Sequence, residues 1–226
     1  MPHDPQSPDL DWREGAIPVS RRFDDPYFSL AGGLEETRHV FLTGNNLPER
    51  LTDGFHIAEL GFGTGLNLLA LALMWQKTNR PGRLRFTTFE AYPMPVSDMA
   101  RAHEAFPEIA SLAADLRAAY RPGPCQFTLA DIEVTLIAGD AREALPNWSE
   151  KADAWFLDGF SPAKNPELWS AELMQQVGLH TAPAGSFATY TAAGHVRRSL
   201  QEAGFTVTRI PGYAHKRHMS IGQRTA

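Results

Sequence analysis

The chain has 226 residues, enough for one domain, or one domain with a modest insertion, and enough to bury a core without disulfides or structural metals. Its 43% hydrophobic and 21% charged residues are ordinary for a globular protein and exclude a disordered or fibrous reading. A net charge of −5 argues against a broad nucleic-acid-binding surface but leaves room for a local basic patch, and the single cysteine, Cys125, excludes an intrachain disulfide.

The N-terminus is acidic and proline-rich, without the marks of a signal peptide. Residues 1–16 read as an irregular arm. Residues 17–50 carry turn signals at Gly32-Gly33 and Gly44-Asn45-Asn46 around short apolar stretches such as Val40-Phe41-Leu42, and are expected to form short strands or loops. Residues 1–54 are thus read as an arm and strand-like segment packed on a main domain, residues 55–226.

From residue 55 strands and helices alternate. Phe55–Leu60 is a short apolar strand, followed by a glycine-rich turn and a helix from about Leu66 to Gln76. Leu66 to Trp75 is also the longest apolar run, interrupted by Asn67 and too short to span a membrane. With one thiol, the cytoplasm is the expected location. Leu84–Phe89 is a second strand. Residues 96–120 read as two helical pieces broken near Pro107. Phe127–Leu129 and Val134–Ile137 form a hairpin, Ala154–Leu157 is a buried strand, and a helix follows from about Pro166 to Leu179. Ser186–Tyr190, a helix from His195 to Ala203, and the strands Thr206–Ile210 and Met219–Gly222 complete the chain. The pattern predicts an α/β fold with a seven-stranded, mostly parallel sheet and an antiparallel edge. In such sheets ligands bind beyond the carboxyl ends of the strands.

After the first strand the sequence reads Glu59-Leu60-Gly61-Phe62-Gly63-Thr64-Gly65-Leu66-Asn67. Three alternate glycines allow a sharp bend and close approach of backbone to a ligand. The spacing is GxGxG, whereas the dinucleotide fingerprint is GxGxxG. A carboxylate beside this loop, Glu59, would repel a pyrophosphate but suits S-adenosylmethionine, whose methionine amine is cationic. Gly61, Phe62, Gly63, Thr64, Gly65 and Asn67 are therefore candidate cofactor contacts with Glu59. Glu90 ends the second strand, where a carboxylate accepts ribose hydroxyls. Asp140, with Ala141, ends a later one, where it can accept from an adenine amino group. Each acid alone is also a plausible helix cap; together, at three strand ends, they describe a nucleoside site. The fold is then the Rossmann-like class I S-adenosylmethionine-dependent methyltransferase architecture.

The strand 154–157 delivers Asp158-Gly159-Phe160-Ser161-Pro162 to the same edge. The segment resembles the Asp/Asn-Pro-Pro-Tyr loop of methyltransferases acting on amino groups of bases. Asp158 is the candidate catalytic residue, orienting an amine first and accepting its proton second. Phe160 offers a face for stacking on a base, and Pro162 stiffens the loop. The alternative is a helix-capping Asp158; a nucleophile elbow at Ser161 is disfavoured by Pro162 and by Ala163 where glycine is usual. Lys164, Arg197, Arg198 and Lys216 are candidate phosphate contacts in substrate binding, with solvated surface as the alternative. Phe23, Tyr27 and Phe28 either line the pocket or pack in the core. The eight histidines show no ligand spacing, so no metal is expected.

Five stretches, PVSRRFDDPYFS (18–29), GLEETRHVFL (33–42), ELGFGTGLNLL (59–69), DAWFLDGFSPAKNPELW (153–169) and TAAGHVRRSLQEAGF (191–205), closely resemble the methyltransferase part of the bifunctional tRNA 5-methylaminomethyl-2-thiouridine biosynthesis family (MnmC-type). The resemblance runs over roughly residues 12–223. It implies methylation of the primary amine of 5-aminomethyl-2-thiouridine in the tRNA anticodon, with S-adenosylmethionine as donor. The family's two-domain members continue into a flavin-dependent oxidoreductase, absent from this chain. No flavin is therefore expected here, and a separate oxidoreductase is the expected source of the aminomethyl precursor. A stand-alone enzyme and an excised module both fit. Methylation of a small amine, and a non-catalytic adenosyl- or RNA-binding module, are the competing functions.

Overall fold

The computed structural model describes residues 7–29 and 32–225. It begins with an antiparallel meander of three strands, β1 (Leu10–Arg13), β2 (Ile17–Ser20) and β3 (Asp25–Pro26). The arm expected over residues 1–16 is thus a strand from Leu10 onward, because Leu10 and Trp12 pack on the core while Asp11 and Arg13 face solvent. Residues 1–6 of that arm lie outside the described residues.

The next stretch departs from the expectation of strands or loops. α1 (Gly33–Thr37) runs directly into a π-helical turn (Arg38–Leu42) and a 3-10 turn (Thr43–Asn45). Val40, Phe41 and Leu42 are all buried. A short run buried on every side lacks the periodicity that separates helix from strand.

The main sheet follows the alternation read from the sequence. Its elements are β4 (His56–Leu60), α2 (Leu66–Thr78), β5 (Leu84–Glu90), α3 (Val96–His103), α4 (Ala110–Ala119), β6 (Cys125–Leu129), β7 (Ile132–Ala138) and α5 (Ala141–Ala144). They continue with β8 (Ala152–Leu157), α6 (Ala171–Leu179), β9 (Thr181–Thr189), α7 (Gly194–Glu202), β10 (Phe205–Pro211) and β11 (His218–Arg224). The sheet has eight strands, in the order β10-β11-β9-β8-β4-β5-β7-β6, against the seven expected. Antiparallel pairs lie at both edges, β6 with β7 and β10 with β11. The β6–β7 edge is the hairpin expected from the sequence, and its two turn residues, Ala130 and Asp131, both take positive φ, the geometry that matches strand twist in a two-residue turn.

Five strands, β4, β5, β7, β8 and β9, run parallel. Alternation sorts their side chains onto two cores. In β8, Ala154 and Phe156 join the core under α2 and α4, while Trp155 and Leu157 join the one under α6 and α7. Complete burial on both faces explains why this strand reads as an unbroken apolar run. The consequence for function is geometric. Five strands end on one edge, and the chain reverses direction across the sheet between β4 and β8, the place where such sheets open a crevice.

Candidate active site

The glycine bend forms as its composition requires. Gly61, Gly63 and Gly65 all have positive φ. At Gly61 steric contact adds to the requirement, because a Cβ there would sit 2.3 Å from the Asp158 carbonyl oxygen. The Asp158 N–H donates to the Leu60 carbonyl (3.1 Å), so the loops after β4 and β8 are laced at van der Waals distance. Asp158 is held there by backbone.

A cavity of about 740 Å³ opens over these strand ends. That lies within the roughly 300–1,000 Å³ of small-molecule sites. Its wall includes Gly61, Phe62, Gly63, Thr64 and Asn67 from the bend and first turn of α2, Glu90 from β5, Asp140 and Ala141 after β7, and Asp158 and Phe160 after β8. Lys164 and Lys216 stand on it too. These residues, distant in sequence, meet at one rim. Gly65 is not on the wall; it sets the left-handed cap from which α2 starts.

Glu59 does not face the cavity. It is fully buried, and its two carboxylate oxygens accept from Asn67 Nδ2 (2.8 Å) and Thr88 Oγ1 (2.8 Å). Its place on a strand buried on both faces turns it inward, so it stands behind the cavity wall, against Asn67, rather than on the wall. Asn67 Nδ2 also donates to Asp158 Oδ2 (2.6 Å), and Asn67 Oδ1 accepts from Thr37 Oγ1 (2.9 Å). One amide thus bridges two carboxylates, and the Thr37 hydroxyl fixes which way it points. Burial raises Glu59 to about 8 and Asp158 to about 7, with Asn67 opposing both shifts. The nearby Glu36 carboxylate raises Asp158 further, and the Lys216 ammonium lowers it.

Glu90 accepts from the N–H groups of Gly63 (2.9 Å) and Tyr92 (2.7 Å). Burial pushes it upward, and those backbone donors pull it back. Asp140 caps α5 by accepting from the Arg142 N–H (2.9 Å) and is clamped by the Arg142 guanidinium at 2.5–3.0 Å. The capping and the ligand-facing readings of Asp140 are compatible, since the same residue does the first and lines the cavity.

The aromatic residues of the N-terminal segment roof the cavity. Phe23 stacks on Phe160 (centroids 4.8 Å apart, planes at 26°), and Tyr27 meets Phe160 edge-on at 5.0 Å. Phe23, Tyr27 and Phe28 all line the cavity, and Phe28 belongs to the core as well. Lys164 is already engaged. Its ammonium binds the Asp24 carbonyl and lies 3.3 and 3.6 Å from the Asp24 and Asp25 carboxylates, tying the Asp158 loop to the meander. Pro162, Arg197 and Arg198 do not line the cavity. The fully buried Val196 and Leu200 decide how α7 seats on the sheet, which leaves its two arginines away from the rim.

Several wall residues escaped the sequence reading. Tyr190 follows β9 directly, so the strand-end rule would have found it; its hydroxyl donates to the Gly159 carbonyl (2.7 Å). Arg142 and Tyr92 are similarly adjacent to strand-end acids. Glu36 and Thr37 lie on α1, in the stretch read as short strands or loops, and nothing local marks them.

A sequence model of an S-adenosyl-L-methionine-dependent methyltransferase family matches residues 107–225. The chain belongs to this family. Its cofactor is S-adenosylmethionine. Among relatives of this methyltransferase, the tRNA 5-methylaminomethyl-2-thiouridine biosynthesis bifunctional protein MnmC of Hahella chejuensis is 44% identical over 226 residues, covering 95% of this chain and 36% of that protein. The protein of the same name from Pseudomonas aeruginosa PAO1 is 45% identical over 228 residues, covering 96% and 35%. The chain therefore spans about a third of the length of these curated relatives. The crystal structure of MNMC2 from Aquifex aeolicus superposes with a TM-score of 0.74 at 26% identity, over 98% of this chain and 71% of that one. No helix among the described residues is long and apolar enough to cross a membrane.

Proposed function

We propose that this methyltransferase acts on the primary amine of 5-aminomethyl-2-thiouridine at the tRNA wobble position, giving 5-methylaminomethyl-2-thiouridine. The observation that carries the reading is Asp158, raised to about 7 at the cavity floor, held by Asn67 and standing among aromatic rings. The names of relatives at 44–45% identity support the same substrate.

The residues present fit the cofactor. The Gly61–Gly63 backbone, bare of side chains, would admit it closely, and Glu90 would accept from its ribose hydroxyls. Asp140 with Ala141 would face its adenine. Glu59 acts one step behind, fixing Asn67. When bound, S-adenosylmethionine would supply a methyl group on a sulfonium, whose carbon takes the lone pair of an amine as the carbon–sulfur bond breaks and its electrons leave on a neutral thioether.

Asp158 then meets two demands. An alkyl amine near pKa ~10 is an ammonium at neutral pH and must shed a proton before it can attack. An ordinary Asp, near ~3.9, is a poor acceptor for that proton, but a carboxyl raised to about 7 is a better one. The same burial disfavours the ammonium. Asn67 holds one Asp158 oxygen, which leaves the carboxylate's orientation defined for the amine. Phe160, backed by Phe23, would offer its ring to the base. An in-line displacement gains much of its rate from such positioning.

The tRNA anticodon region is the proposed partner, and a separate oxidoreductase the proposed source of the aminomethyl group. The deciding experiment incubates the protein with S-adenosylmethionine and tRNA carrying the aminomethyl precursor, followed by nucleoside analysis. The methylaminomethyl nucleoside should appear. Methylation of free small amines with none on tRNA would replace this reading.

A further inference from the structure

Beyond the charge it presents to Asp158, Glu36 has no part in the reaction as described. It projects from α1 into the cavity wall, and its side chain is only 10% exposed. Among the described residues its ion-pair partner is the ammonium of Lys216, 2.7 Å away, from the 212–217 loop between β10 and β11. The approach lacks alignment. Glu36 Oε1 is buried and, among the described residues, makes no aligned hydrogen bond even at that distance. The same ammonium lies 4.2 Å from the centre of the Tyr190 ring, and the Tyr190 hydroxyl is bonded to the carbonyl of Gly159, the residue after Asp158.

A buried carboxylate and an aromatic face together make a receptor for a compact organic cation. The receptor and its occupant differ in freedom. Lys216 is 44% exposed on a flexible stem and can withdraw into water, whereas Glu36 is buried and Tyr190 is tied by its hydroxyl to the Gly159 carbonyl. With Lys216 withdrawn, Glu36 would be a desolvated anion lacking a counter-charge beside Asp158, and an incoming alkylammonium would supply it. Lys216 is itself a primary amine on an alkyl chain, the chemistry of the proposed acceptor.

We propose that Glu36 and the face of Tyr190 are the subsite that captures the acceptor's ammonium group, and that Lys216 holds this subsite until the acceptor displaces it. This deepens the alkyl-amine reading and rests on it. It makes Glu36 a specificity determinant: an acceptor with a hydroxyl in place of the amine brings no positive charge to the subsite.

The test uses free 5-aminomethyl-2-thiouridine nucleoside, which has no phosphate for a lysine to bind, and its hydroxymethyl counterpart. Affinities are measured for wild type, Lys216→Ala, Glu36→Gln and the double variant, with S-adenosylmethionine affinity as the check on folding. Lys216→Ala should bind the amine nucleoside about tenfold tighter. Glu36→Gln should bind it about tenfold weaker and cancel the gain in the double variant, with Glu36→Asp recovering part. The hydroxymethyl nucleoside should respond to none of these changes. Unchanged or weaker amine binding in Lys216→Ala overturns the proposal, as does equal loss of both nucleosides in Glu36→Gln. Wild-type turnover of the aminomethyl tRNA is run alongside. Normal turnover with a flat Lys216→Ala response sinks the subsite alone, whereas no turnover sinks the substrate and the subsite together.

Discussion

Asp158 and Glu59 share one amide donor, and both are held above the ordinary carboxylate range by burial. For Asp158 the folded state keeps its proton to about 7, while the unfolded chain loses it near ~3.9. The folded protein binds more protons across that window, so this residue costs stability as pH rises from about 4 to about 7. The ceiling is ~4 kcal/mol, and solvent at the cavity floor leaves a fraction of it. Asp158→Asn should therefore melt several degrees higher at pH 8 and about equally at pH 4, while turnover falls ~10²–10⁴-fold. The wild-type rate should climb through about pH 7, and that limb should vanish in the variant. A variant that loses rate and stability together at pH 8 would contradict the account. Glu59→Gln tests the supporting position. By the same sign, its melting temperature should rise at pH 7 and above about pH 8, and S-adenosylmethionine affinity should change less than threefold, whereas loss of a direct charged contact costs ~1.5–3 kcal/mol.

At the scale of elements, the site depends on how closely two loops approach. Gly61→Ala places a methyl group 2.3 Å from a backbone oxygen that has no freedom to retreat, at a φ of +93°. The loops after β4 and β8 must separate, with a cost of about 2–4 kcal/mol and a cofactor affinity reduced more than tenfold. Calorimetry with S-adenosylmethionine and a thermal melt measure the two effects. The meander of β1, β2 and β3 matters as a roof rather than as an arm. Phe23 rests on Phe160, the Ser161 N–H donates to Asp25 (2.8 Å), and Lys164 clamps Asp24.

For the whole molecule, a net charge of −5 means that the proposed tRNA substrate would have to be met by a local set of cations. Lys164 is already committed to Asp24 and Asp25. Lys164→Ala should therefore raise the acceptor KM by loosening the roof, and the salt dependence of tRNA methylation should keep its slope. A phosphate-binding lysine would lower that slope by about one on removal. Kinetics at several salt concentrations separate the two.

The parallel sheet, the glycine bend, Glu90, Asp140 and Asp158 were legible in the chain because each follows from a local rule: strand period, positive φ, or an acid at a strand end. Local rules read one strand at a time. They placed Glu59 by its distance from the bend, but which face of β4 it occupies depends on the packing of β5 and β8 on either side. Glu36, Thr37 and Tyr190 became site residues only when α1 and β9 were brought to the rim, and Arg197 and Arg198 fell away when Val196 and Leu200 seated α7. The amino-acid order alone determined the chemistry available at the strand ends. The tertiary structure decided which charges stand within reach of one another, because electrostatics between distant residues depends on separation and burial that no local pattern encodes.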